Sequence, residues 1–169
     1  LKGLSVLVAA VAALALASVA MAAVINGTAG NDRLKGTEEA DEIRAFAGND
    51  GISALGGNDL VRSGQGHDIA RGGEGDDTIY GGIGRDVLHG GNGNDRMWGG
   101  SESDSVTGGP GDDRVGGGSS SDFVRGGEGN DSVFGGWGAD TIHGGPGDDQ
   151  LHVLAPDGNA DFVHCGAGN

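Results

Sequence analysis

A nine-residue period organises most of the chain. Written from Gly27, fourteen consecutive blocks of nine residues run to His152 without a gap, and we number them one to fourteen. Position eight is Leu, Ile, Val or Met in thirteen blocks, with Ala70 as the exception, and position four is glycine in eleven. Position six is aspartate in all fourteen: Asp32, Asp41, Asp50, Asp59, Asp68, Asp77, Asp86, Asp95, Asp104, Asp113, Asp122, Asp131, Asp140 and Asp149. A repeat held in phase over 126 residues predicts a stack of equivalent units rather than an ordinary globular core.

Composition narrows the classes of protein that this chain can belong to. Glycine supplies 39 of the 169 residues and proline only 3, and 25 acidic residues against 10 basic ones give a net charge of −15. Such an acidic chain repels nucleic acid and anionic lipid and attracts cations, so we expect no nucleic-acid partner. The single cysteine, Cys165, excludes an internal disulfide framework. Two classes remain: a disordered glycine-rich chain, or a repeat fold with an unusual source of stability.

The two ends of the chain depart from the repeat. Residues 1–22 carry one charge, Lys2, then an alanine-rich apolar run and the small-x-small pattern Ala20-Met21-Ala22. This predicts a cleaved secretory signal peptide, an extracellular location and no membrane insertion after cleavage; the alternative is an uncleaved membrane anchor. Residues 23–26 form a short segment before the first block. Residues 153–169 contain a three-residue phase break and then partial further repeats, which is the pattern expected of a chain truncated at this end.

Several blocks carry the residues of a known motif. Gly72–Tyr80 reads G-G-E-G-D-D-T-I-Y, which matches G-G-x-G-x-D-x-U-x, where U is a large aliphatic residue; Gly90–Trp98, Gly126–Phe134 and Gly144–His152 match equally well. The chain therefore resembles the RTX, or haemolysin-type, calcium-binding repeat family over about three quarters of its length. The resemblance implies an all-β fold, a parallel β-roll of about fourteen nonapeptide repeats in residues 27–152, with two repeats per coil. It also implies that several calcium ions are bound in the turns.

The motif suggests an all-oxygen cage for a hard cation such as calcium. We expect glycine at positions one, two and four because the turn needs backbone angles that only glycine adopts cheaply. The predicted carboxylate ligands are Asp32, Asp50, Asp59, Asp68, Asp77, Asp86, Asp95, Asp104, Asp113, Asp122, Asp131, Asp140 and Asp149. The predicted backbone carbonyl ligands are those of Gly72, Glu74, Gly75, Gly90, Asn92, Gly93, Gly108, Pro110, Gly111, Gly126, Glu128, Gly129, Gly144, Pro146 and Gly147.

The two edges of such a roll are unequal in sequence. Turns of even-numbered blocks form what we call the even edge, and from block four onward every one of them keeps glycine at position four. Turns of odd-numbered blocks form the odd edge, where Glu102 and Ser120 occupy position four. A residue other than glycine at a left-handed position costs about 1–2 kcal/mol, so we expect weaker cation sites there.

Functional motifs of enzymes are missing from the sequence. There is no H-E-x-x-H zinc motif and no G-x-S-x-G nucleophile elbow, and we expect no enzymatic activity. The preferred hypothesis is a secreted calcium-dependent structural, surface or adhesive module. The alternative is a glycan-binding or accessory module of a larger exported enzyme whose catalytic domain follows Asn169. Tyr80, Trp98 and Phe134, spaced by multiples of 18, should share one sheet face, either as a platform for a glycan or protein partner or as simple cross-strand stacking beside a gap at Gly116.

The unequal edges generate a prediction about calcium affinity. Asp95→Ala or Asp113→Ala removes a carboxylate between intact even-edge turns, whereas Asp104→Ala or Asp122→Ala removes one where position four is already Glu or Ser. We expect the even-edge changes to raise the midpoint of a calcium titration followed by circular dichroism distinctly more. Equal shifts for all four variants would show that position four does not limit the sites.

Overall fold

The computed structural model describes residues 22–153 and 159–167, so the predicted signal peptide lies outside the described residues except for Ala22. The described part contains strands and no helix, and consequently no helix that could cross a membrane. The strands are β1 (Val24–Asn26), β2 (Arg33–Lys35), β3 (Glu42–Arg44), β4 (Gly51–Gly56), β5 (Leu60–Gln65), β6 (Ile69–Glu74), β7 (Thr78–Ile83), β8 (Val87–Asn92), β9 (Arg96–Ser101), β10 (Ser105–Pro110), β11 (Arg114–Ser119), β12 (Phe123–Glu128), β13 (Ser132–Trp137), β14 (Thr141–His143), β15 (Gln150–His152) and β16 (Phe162–His164).

These strands form two parallel sheets of eight strands each. Odd-numbered strands make sheet one, in the order β1-β3-β5-β7-β9-β11-β13-β15, and even-numbered strands make sheet two, in the order β16 to β2. Paired residues lie 18 positions apart, as Ile79 and Met97 do in sheet one, and we call each such turn of the solenoid a coil. The last pair is offset by 21, with Ile142 beside Val163, which matches the three-residue phase break in the sequence after His152. The predicted all-β parallel solenoid is therefore confirmed, with about eight turns.

The core is a single column of side chains between the two sheets. Successive strand residues point to opposite faces, so the aliphatic residue at position eight turns inward while its neighbours turn outward. Met97, Val106 and Val115 have no exposed surface. Two alanines at position one, Ala45 and Ala54, are also fully buried, so the core is not limited to one residue per block as position eight alone suggests. The core is still thin, because both sheets contribute small or medium side chains.

Glycine is required in the turns for two different reasons. Positions two and four have left-handed backbone angles, as in Gly73 (φ 125°) and Gly75 (φ 114°), which L-residues with a Cβ adopt only at a cost. Position one does not, so the expectation of a special backbone angle there is wrong. A Cβ at Gly72 would instead collide with Oδ2 of Asp77, so the position stays small to leave room for the carboxylate of its own block.

In the part of the chain that the structure describes, four residues other than glycine also adopt left-handed angles. Glu102 (φ 74°) and Ser120 (φ 86°) are the position-four residues that the sequence marks as unfavourable, and their backbone follows the glycine path regardless. Phe46 (φ 77°) and Leu55 (φ 86°) do the same at position two. The stack imposes this path because each turn must follow the turn of the neighbouring coil, and the surrounding contacts offset a strain of about 1–2 kcal/mol per residue.

Candidate metal centres

Position-six aspartates form a buried column along each edge of the solenoid. Each one immediately precedes a strand, as Asp77 precedes β7, so the pairing of strands stacks the carboxylates at the same 18-residue interval. Asp77, Asp95 and Asp113 on the even edge are 0%, 1% and 2% exposed, and Asp104 on the odd edge is 4% exposed. Burial of so many carboxylates requires compensation, since a buried charge without partners is strongly unfavourable.

One oxygen of each carboxylate is used to join neighbouring coils. The backbone N–H of Asp77 donates to Oδ1 of Asp95 (2.9 Å), and that of Asp95 donates to Oδ1 of Asp113 (2.8 Å). The same bond recurs along both edges. On the odd edge it begins with the N–H of Asp32, which donates to Asp50, and on the even edge it continues to Asp149, which accepts from Asp131. We call this arrangement the carboxylate ladder. It satisfies a backbone donor at the start of each strand and fixes the side chain in one orientation.

The second oxygen, Oδ2, is left without a hydrogen-bond partner. Within the described residues this holds for Asp50, Asp59, Asp68, Asp77, Asp86, Asp95, Asp104, Asp113, Asp122, Asp131 and Asp149, in each of which Oδ2 is buried. A buried acceptor with no donor costs roughly 1–3 kcal/mol, and more when it is charged. An oxygen-seeking cation is the partner that such a column lacks, and calcium binds carboxylates and backbone carbonyls together.

Some predicted carbonyl ligands lie close to these free oxygens. The space beside Gly72 is bounded by Oδ2 of Asp77 and by the carbonyl oxygen of Gly90 in the next coil, which lies 2.6 Å from the position a Cβ would take. The same relation brings the carbonyl of Gly126 to the carboxylate of Asp113 (2.5 Å from the corresponding position beside Gly108). Position-one carbonyls therefore face the carboxylate of the preceding coil on the same edge.

The other predicted carbonyls have additional roles in the stack. Position-three carbonyls accept hydrogen bonds from position-four N–H groups of the preceding coil, as Asn92 does from Gly75 (2.8 Å) and Pro110 from Gly93 (3.0 Å). The position-four carbonyl of Gly75 lies against the Cα of Gly93. Within the described residues no three His, Cys, Asp or Glu side chains converge on one point.

Burial controls the ionisation of the column. Desolvation raises the pKa of Asp77 and Asp113 to about 7 and that of Asp95 to about 6, from an ordinary 3.8. The backbone N–H that each carboxylate accepts lowers the pKa, and for Asp113 the neighbouring Asp95 and Asp131 raise it further. On the odd edge desolvation also raises the pKa of Asp104 and that of Asp122 to about 7. Both columns therefore resist carrying full negative charge without a cation.

A second ladder, which sequence reasoning missed, runs beside the first on the even edge. Position five alternates Asn58, Asp76, Asn94, Asp112, Asn130 and Asp148, and each side chain accepts the backbone N–H of the next, as Asn94 Oδ1 does from Asp112 (2.9 Å). Amide groups also donate to the preceding carboxylate, from Asn94 to Asp76 (3.4 Å). Because amide and carboxylate alternate, the carboxylates of this ladder lie two coils apart. The recurrence of Asn or Asp every 18 residues is the sequence pattern that could have predicted this ladder.

The odd edge has a different character. At position five His67 accepts the backbone N–H of Arg85 through Nδ1 (2.8 Å), and Ser103, Ser121 and Ala139 follow. These short or basic side chains leave an open groove of about 580 Å³ along the edge. Glu102 lies in the same turn as Asp104 and adds to the repulsion that raises the pKa of that carboxyl. The odd edge is thus the less regular of the two, as the sequence suggests.

Tyr80, Trp98 and Phe134 lie on the outer face of sheet one. Tyr80 and Trp98 stack with ring centroids 5.6 Å apart and planes 13° apart. Phe134 stacks on His152 at 4.2 Å, and the Arg114 guanidinium carbon lies 4.8 Å from the Phe134 ring centroid. The Gly116 gap is narrowed, because Trp98 Cδ1 lies 3.1 Å from the place a Cβ would occupy there. The rings thus form two cross-strand groups on either side of Gly116: Tyr80 with Trp98, and Phe134 with His152 and the Arg114 guanidinium.

The raised pKa values generate a prediction about pH. In the absence of a cation the folded chain binds more protons than the unfolded chain between about pH 4 and 7, so the stability of the metal-free fold falls as pH rises through that range. In calcium-free buffer we expect β-structure, measured by circular dichroism, to increase as pH is lowered from about 8 to 5.

The variant Asp113→Asn is the matched control for this experiment. It keeps the shape of the side chain and removes one titrating group, so its pH dependence should be shallower. A metal-free spectrum that gains order as pH rises, or that does not respond to pH, would contradict the prediction.

Comparison with known proteins identifies the repeat. A family model described as the RTX calcium-binding nonapeptide repeat matches four times, at residues 26–61, 62–97, 89–124 and 116–151. Curated proteins yield no significant match. The matches cover most of the chain and coincide with the stacked turns that carry the carboxylate ladder. The protein therefore belongs to the RTX calcium-binding nonapeptide repeat family.

Proposed function

We propose that this protein is a secreted module without enzymatic activity that folds on binding calcium and acts in a structural, surface or adhesive role. In this proposal residues 27–152 are fourteen nonapeptide repeats, two per coil, preceded by a signal peptide in residues 1–22. The observation that carries the proposal is the column of buried Oδ2 atoms without a hydrogen-bond partner, which recurs on both edges, as in Asp50, Asp77, Asp113 and Asp149.

The proposed cation ligands are the position-six carboxylates and the backbone carbonyls of the turns. Asp77 Oδ2 and the Gly90 carbonyl face the same small space, and Asp113 and Gly126 repeat that arrangement two coils further on. Carboxylates and carbonyls are the hard oxygen ligands that calcium takes, six to eight at a time. When bound, calcium supplies the positive charge that the buried carboxylates lack.

The chain's own residues then account for the dependence of folding on the ion. The core is one column of side chains such as Met97 and Val115, too thin to offset the ordering of a glycine-rich chain. The carboxylate ladder makes each coil depend on its neighbours, because Oδ1 of Asp95 accepts a bond from the coil before it. Binding at one turn therefore orders the adjacent turns, as in other stacked repeat proteins.

A second candidate function is binding of a glycan or protein on the outer face of sheet one, within a larger exported protein. The observation in its favour is charge. The strands of sheet one present Arg44, Arg62, Arg96 and Arg114, against a single acidic residue, Glu42, which pairs with Arg44 (2.6 Å) and Arg62 (3.0 Å). In a chain of net charge −15 this face is a basic, aromatic surface, which suits an anionic glycan.

The primary proposal is tested by a calcium titration of the protein without its leader. We expect a largely unfolded chain in EGTA and a cooperative transition to β-structure as calcium is added, followed by far-ultraviolet circular dichroism. Magnesium is the control ion and should substitute poorly, because it demands octahedral geometry and gives up its water reluctantly. A spectrum that does not change on addition of EGTA would refute calcium-dependent folding.

The second candidate is tested with Trp98→Ala. If the face binds a glycan, the variant should lose binding on a glycan array while its calcium-induced folding stays nearly intact. If the rings only stack, the variant should lose about 0.5–1.5 kcal/mol of stability with no ligand to lose. Trp98 fluorescence of the calcium-loaded protein provides the second readout, and the absence of any array hit would exclude glycan binding on this face.

A further inference from the structure

The first coil differs from the later coils at position two. Blocks one and two carry Thr28 and Thr37 there. The backbone N–H and the hydroxyl of Thr28 both donate to Oδ2 of Asp32, at 2.6 Å and 2.9 Å. Thr37 makes the equivalent bonds to Oδ2 of Asp41, at 2.6 Å and 3.1 Å. The oxygen that is orphaned in the later turns is therefore satisfied by the protein itself in the first two.

The backbone of these two turns differs as well. From block three onward positions two and four both have left-handed angles, beginning with Phe46 (φ 77°) and Gly48 (φ 119°). Thr28 and Thr37 are outside that region, and so is Gly30 at position four, although glycine could adopt it freely. The first two turns are thus closed by a threonine–carboxylate contact, and in block one the N–H of Gly30 donates to Thr28 Oγ1 (3.1 Å).

The chain before the first block completes this arrangement. The backbone N–H of Ala23 donates to Oδ1 of Asp41 (2.6 Å), in the place that a preceding coil takes elsewhere in the carboxylate ladder. Strand β1 pairs with β3 through Val24 and Glu42. Both oxygens of Asp41 consequently have donors within the protein, and its burial, at 3% exposed, needs no cation.

We propose that the first coil, residues 27–44, is a cap that binds no calcium, and that calcium binding by the repeat begins at block three. The inference rests on the proposed calcium-dependent function and refines which turns serve it. It removes Asp32 from the predicted ligands and assigns Thr28 and Thr37 as the residues that replace the ion. Among the described residues β2 is the edge strand of sheet two, and internal hydrogen bonds let this coil close that end of the sheet without an ion site open to solvent.

The test is the number of calcium ions bound per chain, measured by equilibrium dialysis at saturating calcium. Thr28→Gly converts block one to Gly-Gly-Ala-Gly-Asn-Asp, the full motif. It removes the hydroxyl that donates to Oδ2 of Asp32, and it lets position two adopt the left-handed angle of the later turns, which turns the backbone N–H away. We expect this variant to bind one more ion than the unsubstituted protein. Phe46→Gly, at the same position in the block stacked directly on it, is the matched control and should bind the same number, because Oδ2 of Asp50 is already free.

A second pair of variants tests the inference without altering the backbone of a turn. Asp32→Asn should leave the number of bound ions unchanged, whereas Asp77→Asn should lower it. An unchanged count for Thr28→Gly in a protein that folds with calcium, or a lost ion for Asp32→Asn, would overturn the cap. If the unsubstituted protein bound no calcium at all, the proposed function would fail first, so the two failures are distinguishable.

Discussion

The structure depends on one constraint, the burial of an aspartate carboxyl group at nearly every turn. Oδ1 of each ladder aspartate holds a backbone N–H of the adjacent coil, as Asp95 does for Asp77, so the carboxylate cannot leave without breaking the stack. In most of these aspartates, Asp77 and Asp113 among them, Oδ2 is buried with no hydrogen-bond donor. The fold thereby concentrates negative charge at regular intervals and creates the demand for a cation that a thin hydrophobic core cannot replace.

The preference for glycine in the turns results from the space that the carboxylates occupy as well as from the backbone angles that glycine can adopt. At position one the residue is small because the carboxylate of its own block fills the space, as Asp77 does beside Gly72. At positions two and four the chain must also turn left-handed, and the stack is strong enough to hold Phe46 and Glu102 in that conformation. Those two residues show that the neighbouring coils determine the backbone conformation of the turn, and that glycine only lowers the free energy needed to adopt it.

The surfaces of the solenoid divide its charge. Most acidic residues lie in the turns, where position five of the even edge alternates amide and carboxylate and so avoids direct repulsion, as between Asn94 and Asp112. Most arginines lie on the strands, and Arg114 packs over Phe134 beside Gly116. This separation leaves the turns suited to cations and one sheet face suited to anions, although the whole chain is strongly acidic.

The repeat alone was sufficient to predict the all-β parallel solenoid, its inward aliphatic position and the aspartates at its turns, because a side-chain pattern with a fixed period determines which residues stack. It did not determine which carboxylate oxygen stays free, why position one is small, or how Arg114 and Trp98 narrow the gap at Gly116. It also gave Asp32 the same role as Asp50, since both occupy position six. Only the tertiary structure distinguishes the two aspartates. The hydroxyl and the N–H of Thr28 donate to Asp32 within a single turn, and a repeat pattern does not show which hydrogen bonds form inside one turn.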